Sequence, residues 1–199
     1  MKLHHSPASP YVRKVMACAI ARGLDGRIET VATNPHVSPA ELLADNPLSK
    51  VPALVADDGT AIYDSPVICE YLDTLGDAPA LFPPTGSAAR LRAQILHATA
   101  DGILDAAVAR RLNMPHPQDD GRRAFDARQK AAVERALAVL EANPPVGLAD
   151  IGAIAVGCAL GYLDFRFAAE PWRAAHPRLA AWFAEVSELP PLSRTVPVG

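Results

Sequence analysis

Residues 6–20 read Ser-Pro-Ala-Ser-Pro-Tyr-Val-Arg-Lys-Val-Met-Ala-Cys-Ala-Ile, and they place a hydroxyl at the start of a helix that follows a short N-terminal strand. Ser9 fits the N-cap position, and Pro10 supplies the backbone angle of a first helical residue. Apolar side chains then recur at helical spacing and predict a buried stripe of Val12, Val15, Met16, Ala19 and Ile20. A helix N-terminus stabilises anions such as a thiolate, although a Ser-Pro pair more often only begins a helix.

A β-hairpin is predicted between residues 49 and 63. Pro52 opens an apolar run, residues 57–60 form an Asp-Asp-Gly-Thr turn, and residues 61–63 form the second strand. Proline is tolerated at a strand start, and a cis Val51-Pro52 bond costs only about 0.5–1 kcal/mol. A cis bond would turn the Val51 backbone outward, but trans is much the commoner isomer and the sequence does not decide between them.

A second capped helix is predicted directly after the hairpin, at Asp64-Ser65-Pro66. It ends at Gly76, and its apolar face comprises Val67, Ile68, Tyr71, Leu72 and Leu75. The free N–H groups at its start offer a second site for an anion. Taken alone, this pattern more often marks an ordinary capped helix.

These three features, in this order, resemble the N-terminal domain of the cytosolic glutathione transferases. The resemblance is greatest to the small bacterial members, theta-like or beta-like, that carry Ser-Pro-Tyr at the first helix. It covers the whole chain, including a strand near residues 27–31, a proline-containing linker and a helical region. It implies an α/β thioredoxin-like domain followed by an all-α helical bundle.

Domain boundaries are indicated by Pro79, Pro83 and Pro84, which interrupt a stretch unsuited to helix or strand. We predict a thioredoxin-like glutathione-binding domain over residues 1–77, a linker over 78–86 and an all-helical domain over 87–199. Residues 38–41 have the form of a capping box and predict another helix in the first domain. The order of elements before the linker is then β-α-β-α-β-β-α.

Helical spacing in the second domain predicts helices over about residues 87–112, 118–142, 151–163 and 177–186. The third of these starts near Gly147, where glutathione transferases usually have Ser or Thr. We expect Asp150 to reach back to the Gly147 N–H and to interact with the helix dipole. Asp150 is therefore predicted to be a folding residue and not a catalytic one.

Composition and charge argue against several function classes. The chain of 199 residues is half hydrophobic and can bury a sizeable core, while a net charge of −3 without a Lys/Arg-rich block argues against nucleic-acid binding. Cys18, Cys69 and Cys158 lie in apolar helical patterns without C-x-x-C spacing, so neither a redox pair nor a metal site is expected. With no signal-peptide pattern and no apolar run of about 18 residues, we expect a soluble cytoplasmic protein without membrane contact.

The resemblance implies a glutathione site built from the three N-terminal features. Ser9 would donate its hydroxyl to the glutathione sulfur and stabilise the thiolate, with Ser6 in the same loop as a competing hydroxyl. The Val51 backbone, oriented by a cis Pro52, would pair with the cysteinyl residue of glutathione.

The same resemblance implies contacts to both ends of glutathione. Ser65 would bind the γ-glutamyl carboxylate at a helix N-terminus, and Asp64 would face the γ-glutamyl ammonium. Lys50 would reach the glycine carboxylate, although a solvated surface lysine is an equally good interpretation of that residue.

The second substrate and the assembly are also implied by the resemblance. A small hydrophobic electrophile would bind between the Ser9 loop and the helical domain, near Pro7, Ala8 and residues 110–114, where Arg111 is a candidate. A homodimer is implied, with Asp101 as a cross-subunit partner for the glutathione ammonium, although an acidic residue on a solvated helix face is commoner.

The implied activity is glutathione S-transferase chemistry in detoxification. Peroxidase, isomerase or ether-cleaving lyase chemistry with the same thiolate is an alternative, as is a non-catalytic interaction or stress-response protein with this fold. Thiol–disulfide exchange is disfavoured because Ser9 and Val12 stand where exchangers carry cysteines. A serine hydrolase is disfavoured because the sequence contains no G-x-S-x-G nucleophile elbow around a candidate serine.

Overall fold

The first part of the chain forms a four-stranded sheet with helices packed against it, in a computed structural model that describes residues 1–198. Its strands are β1 (Lys2–His5), β2 (Glu29–Ala32), β3 (Ala53–Val55) and β4 (Ala61–Ile62), and its helices are α1 (Pro10–Ala21), α2 (Ala40–Asp45) and α3 (Ser65–Asp73). The strand order is β2-β1-β3-β4, with β1 parallel to β2 and antiparallel to β3. The element order and the mixed sheet confirm the thioredoxin-like prediction.

The second part is helical, as predicted. Its helices are α4 (Ala88–Asn113), α5 (Asp120–Ala142), α6 (Ile151–Arg166), α7 (Pro177–Val186) and the short α8 (Pro190–Ser193). Every residue of α6 from Ile151 to Leu163 is buried, so this helix forms the centre of the bundle. Between Asp73 and Ala88 the chain forms neither helix nor strand, and the exact boundaries 77 and 86 stay predictions.

Several local predictions were wrong in detail. The strand expected near residues 27–31 begins at Glu29, because residues 25–27 form a 3-10 turn. The capping box at residues 38–41 does not form, since Ser38 has a left-handed backbone (φ 46°) and accepts a hydrogen bond from the Ser49 hydroxyl instead. Tertiary pairing between the two loops therefore overrides the local capping pattern.

The start of α6 also differs from the prediction. Asp150 is itself the N-cap, and its Oδ1 accepts a hydrogen bond from the Ala153 N–H at 2.9 Å. Gly147 lies three residues earlier with a left-handed backbone (φ 54°), so the expected bond back to its N–H is absent. The role of Asp150 as a folding residue is confirmed, but the position of the cap was wrong by one turn.

The buried stripe of α1 is broader than the sequence pattern suggested. Arg13 is 7% exposed, and its Nη2 donates to the Leu192 carbonyl at 3.2 Å while its Nε reaches the Thr195 hydroxyl. A Cβ at Gly161 of α6 would overlap the end of the Arg13 side chain, so any other residue there would have to displace this guanidinium. Arg13 thus fixes the helix that begins at Ser9 against the helical domain.

Candidate active site

Ser9 lies at the N-terminus of α1, as the sequence predicts. Its backbone is extended (φ −80°, ψ 120°), and its Oγ accepts a hydrogen bond from the Val12 N–H at 3.3 Å. Pro10 is buried as the first helical residue and has no N–H to satisfy. Because capping uses only a lone pair of the hydroxyl oxygen, the Ser9 hydroxyl proton stays available to a ligand.

The neighbouring hydroxyls are placed differently. The carbonyl of Ser6 accepts the Ser9 N–H at 3.0 Å, which tightens the loop, but Ser6 itself lies outside the helix start. Tyr11 lies in the first turn of α1, and its hydroxyl donates to the Asp105 carboxylate of α4. Burial, followed by the Asp105 contact, raises the pKa of Tyr11, so its proton is held by Asp105. Ser9 is thus the first-turn hydroxyl with a free proton.

The N-terminus of α3 forms the second half of the site. Asp64 occupies the N-cap, but its side chain makes no capping hydrogen bond and is exposed. Ser65 is the first helical residue and is 2% exposed. An uncapped helix start keeps its N–H donors available for an anionic ligand.

The segment before β3 presents backbone to the same region. The Val51-Pro52 peptide bond is cis, which answers the question that the sequence left open. Val51 is half-buried and precedes β3, so it pairs with no strand in the register of the sheet. Lys50 is exposed, in keeping with either interpretation of that residue.

A buried asparagine that the sequence analysis did not single out organises this segment. Asn46 is 1% exposed; its Nδ2 donates to the Lys50 carbonyl at 2.9 Å and its Oδ1 accepts the Leu48 N–H at 3.0 Å. The Asn-Pro pair at residues 46–47 is a turn signal that could have indicated it. Asn46 therefore determines the course of the backbone leading to Val51.

Asp101 lies at the contact between the two parts of the chain and not on a solvated helix face. Its carboxylate binds the Lys14 ammonium of α1 at 2.6 and 2.8 Å, and Lys14 is fully buried. His97 Nε2 lies 2.8 Å from the same ammonium. Burial raises the pKa of Asp101, while burial and the Lys14 charge lower the pKa of His97 to about 3. His97 is thus neutral at physiological pH; the cross-subunit role of Asp101 stays a prediction.

The residues predicted near the electrophile differ in their exposure. Pro7 and Arg111 are exposed and Ala8 is half-buried, so all three are accessible near the Ser9 loop or along α4. Arg110 is different, because it is 4% exposed and forms ion pairs with Asp126 at 3.0 Å and Glu170 at 2.7 Å. These ion pairs hold the Arg110 guanidinium inside the helical domain.

None of the protein's own thiols takes part in the site. Cys18, Cys69 and Cys158 are free and buried, which confirms the prediction that they are core residues. Contact with Cys69 and burial raise the pKa of Cys18, and burial raises the pKa of Cys158 to about 11. Residues 1–198 also contain no grouping of His, Cys, Asp and Glu able to hold a metal ion.

The arrangement offers two helix N-termini, one free hydroxyl and one free backbone segment. Two family models match the chain: glutathione S-transferase, N-terminal domain, over residues 8–75, and glutathione S-transferase, C-terminal domain, over residues 105–185. The chain belongs to the glutathione S-transferase family. The first range contains α1, β3 and α3. The second contains the end of α4, all of α5 and α6 and nearly all of α7, so both halves of this transferase fold are matched.

Relatives extend the match over the full chain. The uncharacterized GST-like protein YibF of Escherichia coli (strain K12) is 33% identical over 99% of this chain and 98% of its own length. A glutathione transferase family member from Pseudomonas fluorescens Pf-5, solved with bound glutathione, is 42% identical with a TM-score of 0.89, covering 100% of this chain and 99% of that one.

A second structure of a Pseudomonas fluorescens Pf-5 family member contains bound S-(propanoic acid)-glutathione. That chain is 40% identical to this one with a TM-score of 0.87, and the match covers 100% of each chain. The relatives thus span this transferase fold from end to end. Within residues 1–198, no helix is both long and apolar enough to cross a membrane.

Proposed function

We propose that the protein is a glutathione transferase that stabilises the glutathione thiolate through Ser9 for attack on a small electrophile. The observation that carries the proposal is the Ser9 hydroxyl, which caps α1 through its oxygen and keeps its proton free. The sulfur–carbon bond would form as the leaving group of the electrophile, such as chloride, departs with the bonding electrons. Ser9 stabilises the nucleophile and is not itself the nucleophile.

The energies support a thiolate at this position. A free thiol titrates near about 8.5, and lowering its pKa by about two units requires roughly 2.7 kcal/mol of preference for the thiolate. A helix N-terminus contributes up to ~2 kcal/mol, and a hydrogen bond to a charged acceptor contributes ~1.5–3 kcal/mol. The start of α1 and the Ser9 hydroxyl together are therefore sufficient.

We assign the rest of glutathione to the neighbouring elements. The γ-glutamyl carboxylate would bind at the open N-terminus of α3 through Ser65, with Asp64 facing the ammonium. The unpaired Val51 backbone would pair with the cysteinyl residue, and Lys50 would approach the glycine carboxylate. Glutathione bound to relatives at 42% identity supports this assignment of the ligand.

A calorimetric titration of glutathione into the protein tests this placement. Ser65→Ala should weaken binding about tenfold, because the γ-glutamyl carboxylate loses a charge-assisted hydrogen bond worth about 1.4 kcal/mol. Ser87→Ala is the matched control, since Ser87 caps α4 through Arg90 N–H at 3.0 Å outside the proposed site. Glutathione affinity that Ser65→Ala leaves unchanged would contradict the γ-glutamyl placement.

We also propose a homodimer, which the resemblance implies and a surface patch supports. The patch comprises three exposed apolar residues on α3 and α4: Val67 (51% exposed), Leu91 (60%) and Ile95 (56%). An ion pair between Glu70 of α3 and Arg90 of α4 joins the two helices beside it. Val67 belongs to the predicted apolar face of α3, and its exposure is explained if a second copy covers it.

A further inference from the structure

His4 is a buried histidine in the middle of the sheet, outside the glutathione contacts assigned above. It belongs to β1, which lies between β2 and β3, and it is 1% exposed. Its Nε2 lies 2.8 Å from the carboxylate of Asp45, the last residue of α2, and its Nδ1 lies 3.0 Å from the Thr33 hydroxyl. Hydrogen bonds at both ring nitrogens fix the orientation of the imidazole. His4 therefore joins the centre of the sheet to the end of α2.

The bond between His4 and Asp45 forms whether the imidazole is charged or neutral. The Thr33 hydroxyl also lies 2.9 Å from the Val31 carbonyl. It can donate to this carbonyl while it accepts from Nδ1 of a charged ring, or it can donate to Nδ1 of a neutral ring. In both arrangements Nε2 carries the hydrogen that Asp45 accepts. This hydrogen bond, with a smaller contribution from the Lys2 charge, lowers the pKa of Asp45, so the acceptor is an ionised carboxylate and the bond is charge-assisted.

The helix α2 contributes little apolar surface to the core. It has six residues, and among residues 40–45 only Leu42 is buried. Pro39 precedes it and has no side-chain group able to cap its N-terminus. Helices of this length are not stable alone, and elements with little buried apolar surface open readily. The charge-assisted bond to His4 is therefore one of the main contacts that hold the end of α2 on the sheet.

His4 meets both ends of the segment 45–53, which contains the backbone that we assign to glutathione. In the register of the sheet it lies opposite Ala53 at the far end, and its side chain binds the carboxylate at the near end. Inside the segment, the buried Asn46 amide holds the carbonyl one residue before Val51 at 2.9 Å. The course of the segment is therefore fixed at both ends through one residue, once by strand pairing and once by a side-chain hydrogen bond.

We propose that His4 is a positioning residue for glutathione. By binding Asp45, it holds the segment 45–53 in the conformation in which the Val51 backbone pairs with the cysteinyl residue of the ligand. A segment that is ordered before binding loses less conformational freedom when the ligand arrives, so the effect falls on affinity and not on the thiolate. This inference rests on the proposed function, because Val51 must be part of the glutathione site.

Calorimetry with S-methylglutathione tests the positioning role, because this ligand has no thiol to ionise. His4→Phe keeps a buried ring of similar size but removes both hydrogen bonds, and we expect it to weaken binding about threefold or more. His4→Gln keeps an N–H group near the position of Nε2 and should bind the ligand within about twofold of the unmodified protein.

The second readout is the pKa of the glutathione thiol in the complex, followed by thiolate absorbance near 240 nm at saturating glutathione. This pKa should be the same in His4→Phe and in the unmodified protein, because Ser9 and the start of α1 lie outside the segment 45–53. A general disruption of the site would instead change the affinity and the thiol pKa together.

Asp150→Ala is the control for a general loss of stability. Asp150 Oδ1 caps α6 through the Ala153 N–H at 2.9 Å, so its removal should destabilise the protein and leave the affinity for S-methylglutathione unchanged. Asp45→Ala removes the contact to His4 from a side chain that is 22% exposed. It should weaken binding by about the same factor as His4→Phe, and it decides the question if His4→Phe fails to fold.

The outcomes separate the two proposals. A loss of affinity below about threefold in Asp45→Ala, or in a folded His4→Phe, would overturn the positioning role, as would a thiol pKa that shifts with the affinity. If the unmodified protein binds S-methylglutathione and both variants bind it equally well, the proposed function stands and only the positioning role is wrong. If the unmodified protein binds neither glutathione nor S-methylglutathione, the proposed function fails and the positioning role fails with it.

Discussion

Replacing Ser9 by alanine removes the free hydroxyl proton that we assign to the glutathione sulfur. The lost hydrogen bond to a charged acceptor is worth about 1.5–3 kcal/mol, which corresponds to a rise of about one to two units in the pKa of the bound thiol. If that pKa lies near 6.5 in the unmodified protein, a rise of about 1.5 units lowers the thiolate fraction at pH 6.5 roughly 15-fold.

The assay is the pH dependence of kcat/KM with 1-chloro-2,4-dinitrobenzene, combined with thiolate absorbance near 240 nm in the glutathione complex. In Ser9→Ala the apparent pKa of both signals should move up by about one to two units, and a rise of about 1.5 units lowers turnover at pH 6.5 more than tenfold. Glutathione affinity should stay within a few-fold, since the lost bond acts mainly on the thiolate. The activity of the variant should approach that of the unmodified protein as the pH rises above the new pKa.

Loss of the helix cap must be separated from loss of the thiolate contact. Ser9 Oγ also accepts the Val12 N–H at 3.3 Å, and removing a serine cap costs about 1 kcal/mol of stability. Ser87→Ala removes an equivalent cap from α4 and should lower stability by a similar amount without moving the thiol pKa. A pH profile that is the same in Ser9→Ala and in the unmodified protein would refute the role of Ser9.

Two further predictions concern folding and assembly. His97→Gln should reduce the loss of stability on acidification, because the pKa of His97 is about 3 in the folded protein and the unfolded chain therefore binds a proton first between about pH 6.5 and 3. In the unmodified protein this contributes a fall in the free energy of unfolding of up to about 1.4 kcal/mol per pH unit. Urea unfolding from pH 7 to 4 measures this fall, with His36→Gln at an exposed position as the control, and equal slopes in His97→Gln and the unmodified protein would contradict the prediction. Ile95→Glu should shift the protein from dimer to monomer in sedimentation velocity. Val139→Glu should not, because Val139 lies on α5 outside the patch, although its side chain is also 65% exposed. An unmodified protein that is already monomeric would contradict the proposed dimer.

Much of the site follows from local sequence because helix starts are local features. Ser9 with Pro10 and Asp64 with Ser65 are adjacent residues, and their placement at the starts of α1 and α3 depends on backbone geometry within one turn. Local signals also failed where a distant loop competed, as at Ser38, whose hydroxyl is used by Ser49. A capping pattern therefore predicts a helix start only where no tertiary partner takes the capping group.

The charged contacts could not be predicted in the same way. Lys14 occupies a position within the predicted apolar helix, and its partners His97 and Asp101 lie 83 and 87 residues further along the chain. A lysine in that pattern is expected to be solvated, since burial of an unpaired ammonium is strongly unfavourable. Only the packing of α1 against α4 supplies the partners that make its burial possible.

The sequence by itself determined the order of the elements and the two helix starts of the candidate site, because these depend on residue types at short spacing. The tertiary structure alone decided which hydroxyl near α1 keeps a free proton, since Tyr11 loses its proton-donating capacity to Asp105, 94 residues away. It also decided that Arg110 is neutralised while Arg111, its neighbour, is not. Adjacent residues on a helix point in different directions, so only the tertiary packing on each side decides which charged side chains lie beside them.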